Sequence, residues 1–204
     1  TNNLHLISEN DIDDDDFVIV NDIVNDGTLT FNNTANGIIA KNIKGSTTSS
    51  NGIVEIAAAD GVKVSLNNKS ITDNYVKLTS GIFDVTSNAE ADGDIDISSV
   101  GKSIIANGGI LSVQDNKAGE INLGDIKTGT GTDAKDLNVA IDMRFITDPL
   151  SDEIHASADV ISVNSLTGDG KIHVSDIKMS KDEDDTIVLY SFLSEMNMHK
   201  PLYT

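Results

Sequence analysis

The chain has no cysteine and no tryptophan, only two prolines, a single arginine (Arg144) and 4% aromatic residues. Each shortage excludes something. Without cysteine there are no disulfides and no thiolate metal sites. With one arginine and a formal charge of −19, the basic patch that a phosphate backbone needs is missing, so nucleic acid is not an expected partner. An anionic membrane surface is disfavoured for the same reason. No apolar run approaches the ~20 residues that span a bilayer, so this segment is not expected to insert into one. The opening TNNLHLISEN has neither a basic n-region nor an apolar h-region, and it begins without Met. It reads as an internal or processed piece of something longer, its export signal elsewhere.

What the chain does hold is Gly, Asn, Asp, Ser and Thr in abundance, with 38% hydrophobic residues. The apolar residues alternate at period 2 in short bursts: GTLTF (27–31), GVKVSL (61–66), GDIDI (93–97) and LNVAI (137–141). Asn36-Gly37, Asn51-Gly52 and Asn107-Gly108 supply turn chemistry between bursts, and the Gly and Asn at such corners can take positive φ. An acidic, Asn-rich chain invites a reading as disordered, but alternating bursts of this density argue against it. The chain reads as all-β.

The bursts also recur. GEINLGDI (119–126) and GKIHVSDI (170–177) are nearly the same phrase, and one strand class begins at Leu29, Val54, Phe83, Leu111, Leu137, Ile161 and Ile187. A second class begins at Ile38, Val62, Ile95, Ile121 and Ile172, and a weaker third burst appears as YVKL (75–78) and SIIA (103–106). Short strands recurring every ~26 residues predict a parallel β-solenoid of about seven irregular rungs, stacked at ~4.8 Å into a rod of roughly 35 Å. An antiparallel β-sandwich also needs short strands and frequent turns, but gives no reason for one period. On the solenoid reading residues 1–204 form a single domain: an acidic cap over 1–26, regular rungs over 27–136 and stem-like rungs over 137–204. The two similar phrases would be the same strand two rungs apart. Thr28, Thr30, Glu55, Asp84, Asp94, Asp96, Glu120, Lys171 and His173 would point outward. The segment 137–192, with LNVAI, DVISV, GKIHV and TIVLYSF, would hold the tightest packing and seed folding, so Ile161 and Val174 would matter more than Val54 and Val64.

Irregular rungs, G-x-I-x-V strands and Asn-Gly corners resemble the passenger region of Gram-negative autotransporters. The most specific part is LNVAIDMRF…DEIHASADVISVNSLTGDGKIHVSDIKM (137–179). It is similar to the C-terminal stem of pertactin-like passengers, where an L-x-V-x-[IV]-D strand and a D-x-I strand precede T-G-x-G-K-[IL]-x-[IV]. The resemblance implies a right-handed parallel β-helix, exported to the cell surface through an outer-membrane barrel that follows in the full-length protein. It also implies that the C-terminal rungs help nucleate folding.

Candidate chemistry is sparse. The acidic runs DIDDDD (11–16) and KDEDD (181–185) could hold Ca²⁺, but such runs are usually solvated loops. NAEADGDID (88–96) places Asn88, Glu90 and Asp92 at positions 1, 3 and 5 of a calcium loop, with Gly93 at 6 and Ile95 at 8; position 12, which should be a bidentate Glu, is Ser99. Asp94 and Asp96 would share a strand face about 7 Å apart, within the range of an inverting glycosidase pair. Paired i,i+2 carboxylates arise on any acidic strand, however, and a uronate-cleaving helix needs cations that one arginine cannot supply. His5, His155, His173 and His199 form no metal-ligand pair in sequence, and no nucleophile motif such as G-x-S-x-G occurs. The expectation is a non-enzymatic, secreted or surface-displayed adhesive rod with no catalytic residue, cofactor or metal. Its partner would be a host or cell-surface ligand, or another copy along the rod axis. The alternatives are a polysaccharide-degrading β-helix and a calcium-dependent adhesin module.

Overall fold

Thr28–Phe31 shows how the alternation becomes structure. Leu29 and Phe31 are buried while Thr28 and Thr30 are half exposed, because successive side chains of a strand point to opposite faces. A computed structural model describes residues 4–6, 22–147 and 154–181 of the chain. Among them there is no α-helix; strands are joined by turns and two short 3₁₀ segments. The strands form four sheets, of seven, seven, three and three strands.

The first sheet stacks Leu4–Leu6, Thr28–Phe31, Gly52–Ala57, Asn74–Ser80, Ile104–Ala106, Asp125–Lys127 and Ser165–Thr167. The second stacks Gly37–Ile38, Lys63–Ser65, Ile82–Asp84, Ile110–Ser112 and Leu137–Thr147; Ile172–Lys181 pairs with the last of these. Two smaller sheets supply the third element in succession, one in the earlier part of the chain and one in the later part. Ile23–Val24, Ile43–Lys44 and Ile71–Thr72 form one, and Ile95–Asp96, Glu120–Asn122 and Val160–Ser162 the other. Every pairing in the four sheets is parallel save one. The arrangement is consistent with a β-solenoid and excludes the antiparallel sandwich. The exception is a hairpin, where Met143–Thr147 runs antiparallel to Ile154–Ala158.

In-register stacking places like residue on like residue. Val54 pairs with Val76, Val76 with Ile104 and Ile104 with Ile126 in the first sheet. Phe83 lies between Val64 and Leu111 in the second. These side chains form one buried cluster that runs from Leu29 to Ile141. Full burial of such a side chain stabilises by about 1.5–3 kcal/mol, so the interior stack is the main source of stability.

The register revises the strand classes. The partner of Val54 is Val76 and not Phe83, which belongs to the second sheet. YVKL and SIIA, read as a third class, are in fact the continuation of the Leu29–Val54 face, since Val76 pairs with Ile104. Ile121 pairs with Ile161 in the smaller third-element sheet, whereas Ile172 pairs with Leu137 in the second sheet. GEINLGDI and GKIHVSDI therefore lie on different faces. The cause is uneven rung length. Along the first sheet the chain steps from Leu29 to Val54, Val76, Ile104, Ile126 and Leu166, and no two consecutive steps are equal. A fixed period slides from one face to the next, and every face carries the same alternation. Ile38, read as inward, faces out at 54% exposed, and Ile39 takes the interior place.

Corners differ too. Gly108 has φ +115°, but Gly37 and Gly52 lie within strands and are not in the left-handed region. Gly52 is required for another reason: a Cβ there would collide with the Asn25 carbonyl and the Asn74 side chain. Those two asparagines form a buried lock, with Asn25 Nδ2 donating to Asn74 Oδ1 (2.7 Å) and to the Ile53 carbonyl (3.0 Å). Of the outward-pointing list, Asp84 is not solvated. It is 8% exposed, accepts from Ser65 Oγ (3.2 Å) and Thr86 Oγ1 (2.7 Å), and has Lys63 at 3.7 Å.

Candidate functional site: an acidic depression

Glu90, Asp94, Ile95, Asp96, Glu120, Asn122 and Ser162 line an open depression of about 320 Å³. It forms because Ile95 and Ile121 turn inward beneath Ile161, which leaves the alternate positions Asp94, Asp96, Glu120 and Asn122 on the outside. The strand alternation that builds the core thus gathers the carboxylates. Gly93 (φ +97°) and Gly119 bring two corners together at its rim, so closely that a Cβ at Gly119 would overlap the Gly93 backbone.

Asp94 and Asp96, the sequence's carboxylate pair, both line the depression, but local backbone engages them. Asp94 Oδ1 accepts the Glu120 N–H at 2.7 Å, and Asp96 Oδ1 accepts the Ser98 N–H at 2.8 Å. The Ser98 side chain and backbone N–H together hold the Asp96 carboxyl below the ordinary carboxylate range. A carboxylate kept ionised in this way suits a base and is the wrong choice for a proton donor. Neighbouring cations are few: the Lys117 ammonium is directed to the Ala91 carbonyl at 2.6 Å.

The calcium-like loop closes on its own backbone. Thr86–Asn88 is a 3₁₀ turn, the Glu90 N–H donates to the Asp94 carbonyl (2.8 Å), and Asp92 Oδ1 accepts the Asp94 N–H (3.3 Å). Among the described residues, no group of three or more His, Asp or Glu is placed to hold a metal ion. DIDDDD (11–16) and residues 182–185 of the second acidic run lie outside the described residues, as do His199 and Ile187. His155 and His173 are exposed, and His173 Nδ1 lies 3.3 Å from Asn138 Oδ1.

Sequence reasoning missed a second carboxylate pair. Asp142 and Asp159, at 0% and 9% exposed, are buried at the base of the hairpin. Asp142 ends the alternating run LNVAID, where period 2 places it outside; nothing in the sequence says that a loop covers it.

No protein-family model matches the chain, no curated protein matches its sequence, and no solved structure matches its fold. No helix among the described residues is long and apolar enough to cross a membrane.

Proposed function

We propose that the chain is a rod segment of a secreted or surface-displayed autotransporter passenger. On this reading it is a right-handed parallel β-helix of about seven irregular rungs of ~26 residues, and it acts structurally or adhesively, without enzymatic activity. The observation that carries the reading is the parallel, in-register stacking of one interior ladder, together with the long parallel pairing of Leu137–Thr147 with Ile172–Lys181 within the stem-like motif. The acidic exterior supports a solvated rod that resists edge-to-edge pairing. A partner would be a host or cell-surface ligand, or a second copy along the rod axis, and an outer-membrane barrel would follow in the full-length protein.

Two measurements test this. Antibody against the folded chain should label intact cells of the source organism, and the label should be lost on external protease treatment; protein confined to the cytosol overturns the reading. Incubation with acidic polysaccharides should release no reducing ends. Release that is abolished by Asp94→Asn with Asp96→Asn would favour the polysaccharide-degrading alternative, to which the acidic depression lends its only specific support.

A further inference from the structure

We propose that Asp142 and Asp159 form a proton-operated latch: with a proton on either carboxyl the base of the hairpin stays packed against the 113–119 connection, and loss of that proton, which leaves two charges in a buried site, loosens the junction. The two residues stand where the hairpin leaves the stack, since Met143–Ala158 is its innermost antiparallel pair and Asp142 and Asp159 come next on either arm. They are joined to each other, with the Asp142 N–H donating to Asp159 Oδ2 (2.7 Å) and the Asp159 N–H to the Asp142 carbonyl (3.1 Å). Their remaining oxygens reach the preceding connection. Asp142 Oδ2 accepts the Asn116 N–H at 2.7 Å, and Asp159 Oδ1 accepts the Gly119 N–H at 3.1 Å. Asn116 takes φ +73° as it presents that N–H, a conformation rare outside glycine.

One oxygen is left over. Asp142 Oδ1 is buried with no hydrogen-bond partner. As a carboxylate oxygen it is an orphan acceptor in a dry site, which is costly; a proton on the carboxyl removes the charge that burial penalises. The surrounding charge favours the proton. Asp115 faces both carboxylates from the connection, and Lys178, in register with Asp142 on the adjacent strand, is the cation that opposes it. Asp176 on that strand is held by Gln114 Nε2 at 2.9 Å, and Lys117 is directed away to Ala91. Arg144 lies two residues along the hairpin arm, His155 is exposed on the other arm, and Glu120 follows Gly119 at the surface. Burial first, and then neighbouring carboxylates, push both Asp142 and Asp159 above the ordinary range, against the hydrogen bonds that lower them.

The sign follows. A carboxyl with a raised folded-state pKa binds its proton more tightly in the folded chain, so its penalty is present above that pKa. The penalty is relieved as pH falls through it and is gone below the ordinary value of 3.8. The junction should tighten on mild acidification.

Carboxyl-carbon NMR titration of the intact chain tests this. At least one of Asp142 and Asp159 should titrate above the ordinary carboxylate range, and the Asn116 and Gly119 amides should gain about tenfold protection, beyond the intrinsic rate change, between about pH 7 and pH 4.5. Asp142→Asn should remove that gain and leave the protection of Val54 and Val76 unchanged, whereas Asp96→Asn should leave the gain intact. Both carboxyls titrating at or below the ordinary value would overturn the latch, as would Asn116 and Gly119 responding to pH no differently from the rest of the chain. If Asp142→Asn does not fold, the titration of the unmodified chain decides alone.

Discussion

The strands between Leu29 and Leu111 and those after Val160 are written in the same alternating apolar code, yet they are buried very differently. Val54, Val76, Ile104 and Leu111 are completely buried. Their counterparts on the same faces further along are not: Leu166, stacked on Ile126, is 44% exposed, and Val174, stacked on Val139, is 40% exposed. Apolar density in the sequence is not the difference. Ser165–Thr167 ends its sheet, with a described neighbour on one side alone, so Leu166 lacks the further strand that covers Ile126. The expectation that Ile161 and Val174 would outrank Val54 and Val64 is therefore reversed by burial.

Truncating interior side chains in the two regions is the most severe way to break that comparison. Phe83→Ala should cost about 3–5 kcal/mol and Ile104→Ala about 2–5 kcal/mol, whereas Leu166→Ala should cost about 1 kcal/mol, because little of its surface is withdrawn from water. Denaturant melts of the three variants measure this directly. Equal losses would mean that the end strands are covered in solution. Hydrogen exchange on the unmodified chain should rank the same way, slowest at Val54–Leu78 and Ile104–Leu111 and fastest at Val160–Thr167.

A smaller effect is expected at the corner where two rungs touch. Gly119→Ala would drive a methyl into the Gly93 backbone and should cost about 1–3 kcal/mol. The same change at Gly61, where an added Cβ meets nothing within contact distance, carries only the strain of φ +74°. A larger loss at Gly61 than at Gly119 would show that backbone conformation outweighs the close approach.

The gentlest test sets Glu55 against Asp142 and Asp159. Burial pulls the Glu55 carboxyl upward, but hydrogen bonds from Thr79 (2.7 Å) and Lys77 (2.9 Å), aided by the Lys77 charge and by Thr30, outweigh it and hold it below its ordinary value. Its contribution is therefore complete above the unfolded-state value of 4.5 and is lost as pH falls through the folded-state one. Because the site is partly open to water, Glu55→Gln should cost only about 0.5–1 kcal/mol at neutral pH and nothing in strong acid. Once the intrinsic rate change is divided out, local protection at Lys77 should fall on acidification while that at Asn116 rises. Both moving in one direction would mean that overall charge, and not local pairing, governs the response.

Much of the fold was legible. Alternation identified strands at Thr28–Phe31, Lys63–Ser65 and Leu137–Thr147, and recurrence identified parallel stacking. The partner of each strand was not legible, because rungs of unequal length cannot be aligned by a period when every face shows the same pattern. The acidic depression was half visible through Asp94 and Asp96, which lie on one short strand segment. Glu120 and Ser162 reach it only through strand stacking, one and two rungs further along.

The sequence alone determined that the chain is all-β, acidic, free of cysteine and built of parallel short strands, since these follow from residue type and nearest-neighbour alternation. Tertiary structure decided which alternating residues are dry. Asp84 and Asp142 carry the outward phase of their strands, yet Lys63 and Thr86 cover the first, and the turn at Asp115 and Asn116 covers the second. Leu166 and Val174 carry the inward phase, yet water reaches them. Phase is local, set by the pleat of a single strand; burial depends on what the chain lays on either side many residues later.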